Sequence, residues 1–227
     1  MISGVLNLDK APQMTSARVV GAVKRLLPRG VKIGHAGTLD PFATGVLLLL
    51  VGRATKQCES LMGQPKQYLA TIRLGATTET DDLDSPTRPV ANAVMPTRER
   101  LNLELTKFVG EILQRPPTYS ALWIAGRRAY DLAREGKTVD LKPRTVRIDA
   151  LELIDYQPPD VQVRIDCGKG TYIRSIARDL GETLGTGGYL TALRRTRVGR
   201  FHVDNAVTLE RLQSEGIEPH LSAADGP

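Results

Sequence analysis

The clearest periodicity in the chain lies in "KQYLATIRLG", residues 66–75. Tyr68, Ala70, Ile72 and Leu74 alternate with Leu69, Thr71 and Arg73, the period-two pattern of a strand with one buried face. "DVQVRIDCGKG" predicts a second strand, with Val161, Val163 and Ile165 on one side. In "TVRIDALELIDY" the parity changes: Val146, Ile148 and Ala150 share one face, Leu151 and Leu153 the other, as at a β-bulge or bend. "GVLNLDK" reads as a short strand or an extended lead-in. Helical spacing appears at Val19, Val20, Val23, Leu26 and Leu27, after Thr15 or Ser16 as the cap and before the helix-stopping "LPRG". It appears again at Ile173, Ile176, Ala177, Leu180 and Leu184, with Gly185 placed for a left-handed cap. Shorter helices are predicted within 97–110 and from Arg127 to Glu135. The run Val46 to Val51 is apolar at every position, so its period cannot separate strand from helix. "ATTETDDLDSP" has no apolar period and reads as an exposed polar loop. Helices and strands mix without a regular βαβ rhythm, which points to an α+β fold.

Composition narrows this picture. The chain has 227 residues, 41% hydrophobic and 25% charged, enough for one large domain or two packed halves with a sizeable core. Its net charge of +6 favours a polyanionic partner. The distribution adds to this, because basic residues gather in 1–56 and again from Arg164 to Arg200, on either side of the acidic "ETDDLD". Two such regions could fold into one anion-binding face. Cys58 and Cys167 lie far apart, without metal-ligand spacing, and read as free buried thiols. The opening "MISGVLNLDK" lacks the pattern of a signal peptide, and no apolar run is long enough to span a membrane, so a cytoplasmic location is expected.

Two stretches carry candidate chemistry. In "GHAGTLDPFATG" Asp40 precedes Pro41, which holds it away from helical backbone, among glycines that allow tight turns or close approach of a ligand. A turn or cap explains such an aspartate, and so does a catalytic carboxylate on a shaped loop. His35 fits a hydrogen-bonding role in the same loop better than a metal role, since no second ligand lies at a diagnostic spacing. In "CGKGTYIRS" a strand passes through a glycine-rich turn into a helix, a junction that offers backbone N–H groups to anions. Arg174 and Arg178 follow on one helix face and could bind phosphate, pair with a carboxylate, or face solvent. Tyr68 and Tyr119 have ordinary packing roles open to them.

Four ordered segments, "KIGHAGTLDPFATGVL", "KQYLATIRLGATTETDD", "QRPPTYSALWIAGRRAYDLAREG" and "CGKGTYIRSIARDLG", resemble the bacterial tRNA pseudouridine-55 synthase family, a likeness running over roughly residues 4–201. The resemblance implies the pseudouridine synthase catalytic fold, a mixed, mostly antiparallel sheet flanked by helices and loops. It implies isomerisation of uridine to pseudouridine in the TΨC loop of tRNA. By resemblance Asp40 is the nucleophilic carboxylate, Tyr68 the tyrosine that stacks on the target base, and Arg174 the arginine that pairs with the aspartate. His35 matches the histidine that fills the gap left by the flipped base. Leu193 matches the apolar residue near the base pocket, while Lys10 and Tyr172 fall among substrate-binding positions. Arg178, Arg194, Arg195 and Arg197 are expected to face RNA or to be structural.

The chemistry requires no metal, nucleotide or organic cofactor. The expected partner is the T stem-loop of tRNA, with no membrane, no required protein partner and a monomeric state. Two departures stand out. The usual opening "DKPxGxTS" is here "DKAPQMTS", with Ala11 for proline and Gln13 for glycine, though Lys10, Thr15 and Ser16 remain. Residues 1–207 are expected to be the catalytic domain and 208–227 a short tail, the family's usual PUA-like RNA-binding domain being apparently absent. A tRNA-binding or tRNA-folding module with weak catalysis is the competing reading of the same scaffold.

Overall fold

Strand β1 (Gly4–Lys10) opens a computed structural model that describes residues 2–120, 122–124, 126–136 and 141–223. The chain divides into two units, Met1–Tyr68 with Leu193–Pro227, and Leu69–Ala192. The first unit continues with helix α1 (Ser16–Lys24), strands β2 (Ile33–Ala36) and β3 (Thr44–Val51), a 3-10 turn, helix α2 (Cys58–Gly63) and the start of strand β4 (Lys66–Leu74). The second holds the rest of β4, then β5 (Ala76–Thr77), β6 (Arg88–Pro89), α3 (Arg98–Thr106), β7 (Gly110–Gln114), β8 (Trp123–Ile124), β9 (Arg127–Arg128) and α4 (Ala129–Arg134). After these come β10 (Arg144–Gln157), β11 (Asp160–Cys167), α5 (Ile173–Leu184) and the start of β12 (Gly188–Val198). The chain then completes the first unit with the end of β12, β13 (Phe201–His202), α6 (Leu209–Glu215) and β14 (Leu221–Ser222). The fold is α+β, as the mixed pattern of the sequence implies.

In the first unit, β3 is the central strand. It pairs antiparallel with β1 from Gly4↔Val51 to Lys10↔Gly45, antiparallel with β2, and parallel with β12 at Arg194↔Thr44 and Arg195↔Gly45. Residues 46–51 are buried on both faces, which is why their sequence shows no alternation. Val46, Leu48 and Leu50 pack with Val5, Ala36, Ala54 and Val198, and each fully buried leucine contributes about 1.5–3 kcal/mol of transfer free energy. Gly45 makes the parallel pairing possible. It sits at φ +99°, and a Cβ there would lie 2.2 Å from the Arg195 carbonyl oxygen. The residues expected to form a short tail are built into this unit: Leu212 of α6 is buried, and β14 pairs antiparallel with β1. Helix α1 is capped by the Thr15 hydroxyl, which accepts from the Arg18 N–H, and ends at Lys24, so Leu26 and Leu27 lie past it and Leu26 is exposed.

In the second unit, β10 pairs antiparallel with β11 and with β7, and register shifts between Ile148 and Ala150 and between Leu153 and Asp155 account for the change of parity in its sequence. Helix α5 spans Ile173–Leu184 and closes on Gly185 at φ +73°, as its apolar stripe predicts. Two expectations need correction. Arg127 and Arg128 belong to a hairpin with Trp123 and Ile124, and the helix starts only at Ala129, because Gly126 at φ +83° turns the chain back first. The segment 76–86 is not an exposed loop: Thr78, Thr80, Asp81 and Asp82 are buried, since its carboxylates meet arginines of α5. A third concerns the thiols: Cys167 is buried, but Cys58, on the short helix α2, is only partly so.

Candidate active site

Asp40 lies in the turn between β2 and β3, and three separate elements hold the main chain on both sides of it. From α1, the buried Ser16 hydroxyl donates to the Leu39 carbonyl (3.1 Å) and accepts from the Leu39 N–H (3.0 Å). From the end of β1, the Lys10 ammonium donates to the carbonyls of Pro41 (3.0 Å), Ala11 (2.9 Å) and Met14 (2.8 Å). From β12, the Arg195 guanidinium donates to the carbonyls of Val46 (2.7 Å), Gly37 (3.1 Å) and Thr38 (3.4 Å). The Asp40 carbonyl itself accepts from the Ala43 N–H at 3.1 Å. Residues 37, 38, 39 and 41 are thus pinned through their backbone, and Asp40 stands in a fixed turn.

Lys10 and Arg195 are among the most deeply buried side chains of the protein. Burial pushes the Lys10 ammonium down from 10.5 to about 8; the Asp40 carboxylate works against that shift and the Arg195 charge adds to it. Lys10 therefore lies in the field of both the Asp40 carboxylate and the Arg195 guanidinium. His35 stands on β2 opposite Leu49 of β3 and is half-buried. Tyr68 is buried on β4, at the alternating position the sequence assigns it, and Leu193 is buried on β12 just before Arg194. Arg194 points elsewhere: it pairs with both carboxylate oxygens of Asp9, at 3.1 and 2.8 Å, and is 40% exposed.

The second unit holds the other two predicted residues. Arg174, in the first turn of α5, is buried. Its guanidinium meets Asp82 at 3.4 Å and donates to the carbonyls of Thr80 (3.1 Å) and Tyr119 (2.9 Å). Asp82 is held in turn by the Thr80 hydroxyl and the Asp84 N–H. Tyr119 thus serves Arg174 through its backbone, while its hydroxyl donates to Glu79. One turn on, Arg178 bridges Asp81 (3.1 Å), Asp179 and the Arg115 carbonyl, a structural role. Burial pushes the Asp81 carboxyl up to about 6 in spite of the two arginines. Tyr172 caps α5, exchanges two main-chain hydrogen bonds with the Gln114 side chain, and carries the Arg144 guanidinium 5.0 Å above its ring. Among the described residues no group of three or more His, Cys, Asp or Glu is placed to hold a metal ion.

Residues 24–173 match the N-terminal domain of the TruB family of pseudouridylate synthases, and residues 174–220 match the tRNA pseudouridylate synthase B C-terminal domain. The chain belongs to the TruB family. It is 48% identical to the tRNA pseudouridine synthase B of Mycobacterium tuberculosis, an alignment covering 92% of this chain and 71% of that one. It is 44% identical to the protein of the same name from Phocaeicola vulgatus, over 91% of this chain and 90% of that one. Among solved structures, a crystal structure of a Cbf5-Nop10-Gar1 complex superposes with a TM-score of 0.73 at 31% identity, and one of an H/ACA RNP bound to a substrate RNA containing 2'-deoxyuridine with 0.70 at 29%. Each covers 94% of this chain, which spans about half the length of those solved chains (54% and 53%).

Against the family's usual opening, the structure explains one departure. Gln13 sits at φ +61°, the left-handed region where the family pattern has glycine, so the loop keeps a glycine-type turn with a side chain in place. Three residues shape the site in ways the sequence does not show. Ser16 reads only as a cap, whereas Thr15 does the capping. Arg195 is hidden in a run of charges that conceals the strand β12. Asp82 sits in a stretch whose polarity suggests solvent. One signal was available for it: an arginine on the buried face of a helix requires a carboxylate, and 79–84 is the densest acidic segment.

Proposed function

We propose that this protein isomerises uridine to pseudouridine at position 55 in the TΨC loop of tRNA, with Asp40 as the reacting carboxylate. In the net reaction the N1–C1′ bond of the target nucleotide breaks, a C5–C1′ bond forms, and the proton on C5 is replaced by one on N1. Asp40 acts by forming an ester at C1′ or by removing the neighbouring C2′ proton to give a glycal; in either route the freed uracil turns and rejoins. The observation that carries this reading is the turn itself. A carboxylate on a turn held through its backbone, with the buried Lys10 ammonium in its field, is aimed without reorganisation during reaction. Family membership supplies the substrate class, and the 48% identity to a tRNA pseudouridine synthase B favours free tRNA over a guide-directed RNA.

Within this reading Arg174 is a catalytic residue, its guanidinium oriented by Asp82, Thr80 and Tyr119. Tyr68 stacks on the uracil and assists departure of the C5 proton. His35 fills the place of the extruded base, Leu193 and Tyr172 are substrate-binding residues, and Lys10 supports the anion. Residues 1–207 supply the catalytic region, and 208–222 brace β1. The protein works as a monomer in the cytoplasm with tRNA as its only partner, and its affinity falls as salt rises because basic residues contact phosphates.

The test is incubation of unmodified tRNA with the wild-type chain and with Asp40→Asn, followed by mapping of pseudouridine at each loop position. Product at position 55 that disappears in the variant is expected. Tight binding without product would convert the reading to a tRNA-binding module, and product formed only with an added guide RNA would reassign the substrate.

A further inference from the structure

We propose that Arg195, assisted by Ser16, is a positioning residue for the reaction, fixing the Gly37–Pro41 turn in the backbone path from which Asp40 reaches the ribose. This inference rests on Asp40 being the reacting carboxylate. Arg195 is 1% exposed, so it has no phosphate to bind, and the charge run that contains it is misleading as an RNA-binding signal. All its described hydrogen bonds go to main-chain carbonyls: one on β3, at Val46, and two in the turn, at Gly37 and Thr38. The planar guanidinium thereby ties the turn to the central strand with a rigid fork that lysine cannot reproduce.

The placement is built into the backbone. Parallel pairing brings Arg195 beside Gly45, and the missing Cβ at Gly45 is what lets the two main chains approach. An apolar residue at 195 would fill the core at lower desolvation cost but leave three carbonyls short of a donor. Ser16 holds the next residue, Leu39, by both its N–H and its carbonyl, from a different element and on the side nearer Asp40. Two independent anchors on residues 37–39 go beyond what a connecting turn needs for folding. They define where the following residue starts.

The experiment compares wild type, Arg195→Lys, Ser16→Ala and Asp40→Asn in single-turnover pseudouridine formation on unmodified tRNA. It also reads the tRNA dissociation constant, thermal melting, and hydrogen exchange of the peptide covering 37–45. Both positioning variants should lose about ten- to a hundredfold in rate, as expected for a displacement on the ångström scale, at a temperature where melting shows them folded. Their tRNA affinity should stay within about twofold, and exchange in 37–45 should quicken, a split between turnover and binding that a merely structural role would not produce. If Arg195→Lys does not fold, Ser16→Ala decides. A folded positioning variant with wild-type rate, or with its loss confined to affinity, overturns the proposal while an inactive Asp40→Asn leaves the function standing. An Asp40→Asn protein that still isomerises would instead remove the reading on which the proposal depends.

Discussion

The surroundings of Asp40 and those of Arg174 solve opposite problems with different chemistry. In the first unit two buried cations, Lys10 and Arg195, spend their described hydrogen bonds on neutral carbonyls. Their charge is therefore not cancelled by the groups that orient them, and it remains available to the carboxylate on the turn they hold. In the second unit Arg174 and Arg178 meet Asp82, Asp81 and Asp179, side chain to side chain. Those pairs compensate charge where they stand and fix the guanidinium planes. One region supplies a field and a fixed backbone; the other supplies an oriented side chain. A carboxylate placed against the Asp40 turn in the manner of Asp82 would quench the field that the turn is built to hold.

Removing one member of the second network should have the largest effect. Asp82→Ala leaves the Arg174 guanidinium, only 6% exposed, without that partner, and breaking a buried pair in this way costs about 3–5 kcal/mol. Urea unfolding should show that loss together with a fall in pseudouridine formation; a change below about 1 kcal/mol would mean the two regions are not distinguished by ion pairing. Next is Gly45→Ala, which attacks the backbone strategy of the first. A methyl group 2.2 Å from the Arg195 carbonyl, at φ +99°, forces β3 and β12 apart and should cost about 2–3 kcal/mol with a matching drop in melting temperature.

The response to pH should separate the regions by sign. Lys10 titrates at about 8 in the folded protein against 10.5 when unfolded, so the unfolded chain binds more protons between those values and stability from this group rises with pH there. Asp81 titrates at about 6 against 3.8, so the folded chain binds more protons in that window and stability from this group falls as pH rises through it. Denaturation across pH should lose the alkaline rise in Lys10→Met and the acid-side fall in Asp81→Asn; the same slope in wild type and variant would contradict the burial assigned to that group. The smallest effect belongs to Gln13→Gly, which relieves a left-handed residue at φ +61° and should stabilise by about 0.5–1 kcal/mol in the same assay. Destabilisation would show that the Gln13 side chain has contacts worth more than its strain.

How far the sequence revealed all this depends on whether a residue acts through its side-chain period or through its backbone neighbours. Strand β4 and helix α5 were legible because burial on one face writes a period of two or 3.6. The parity change near Ala150 even marked the register shift in β10. Strand β3 was ambiguous because burial on both faces erases the period. Strand β12 was illegible, since adjacent arginines can be buried by carbonyls or paired with carboxylates, and charge alone does not say which. The same limit hid Asp82: a polar loop and a buried counter-charge share one composition. Asp40, Tyr68 and Arg174 stood out through their motifs, whereas Ser16 and Arg195 act on main-chain groups that carry no residue-specific signature.

The bond from Arg195 to Val46 spans 149 positions of sequence. A growing polypeptide presents Asp40 first and its distant brace only after the whole second unit has been made. Loop closure over such a separation is entropically slow, so the turn gains its last anchor late in assembly. Full bracing of the Asp40 turn is thereby tied to synthesis of β12, and a ribosome-bound intermediate that stops short of this strand holds the turn through Ser16 and Lys10 without Arg195.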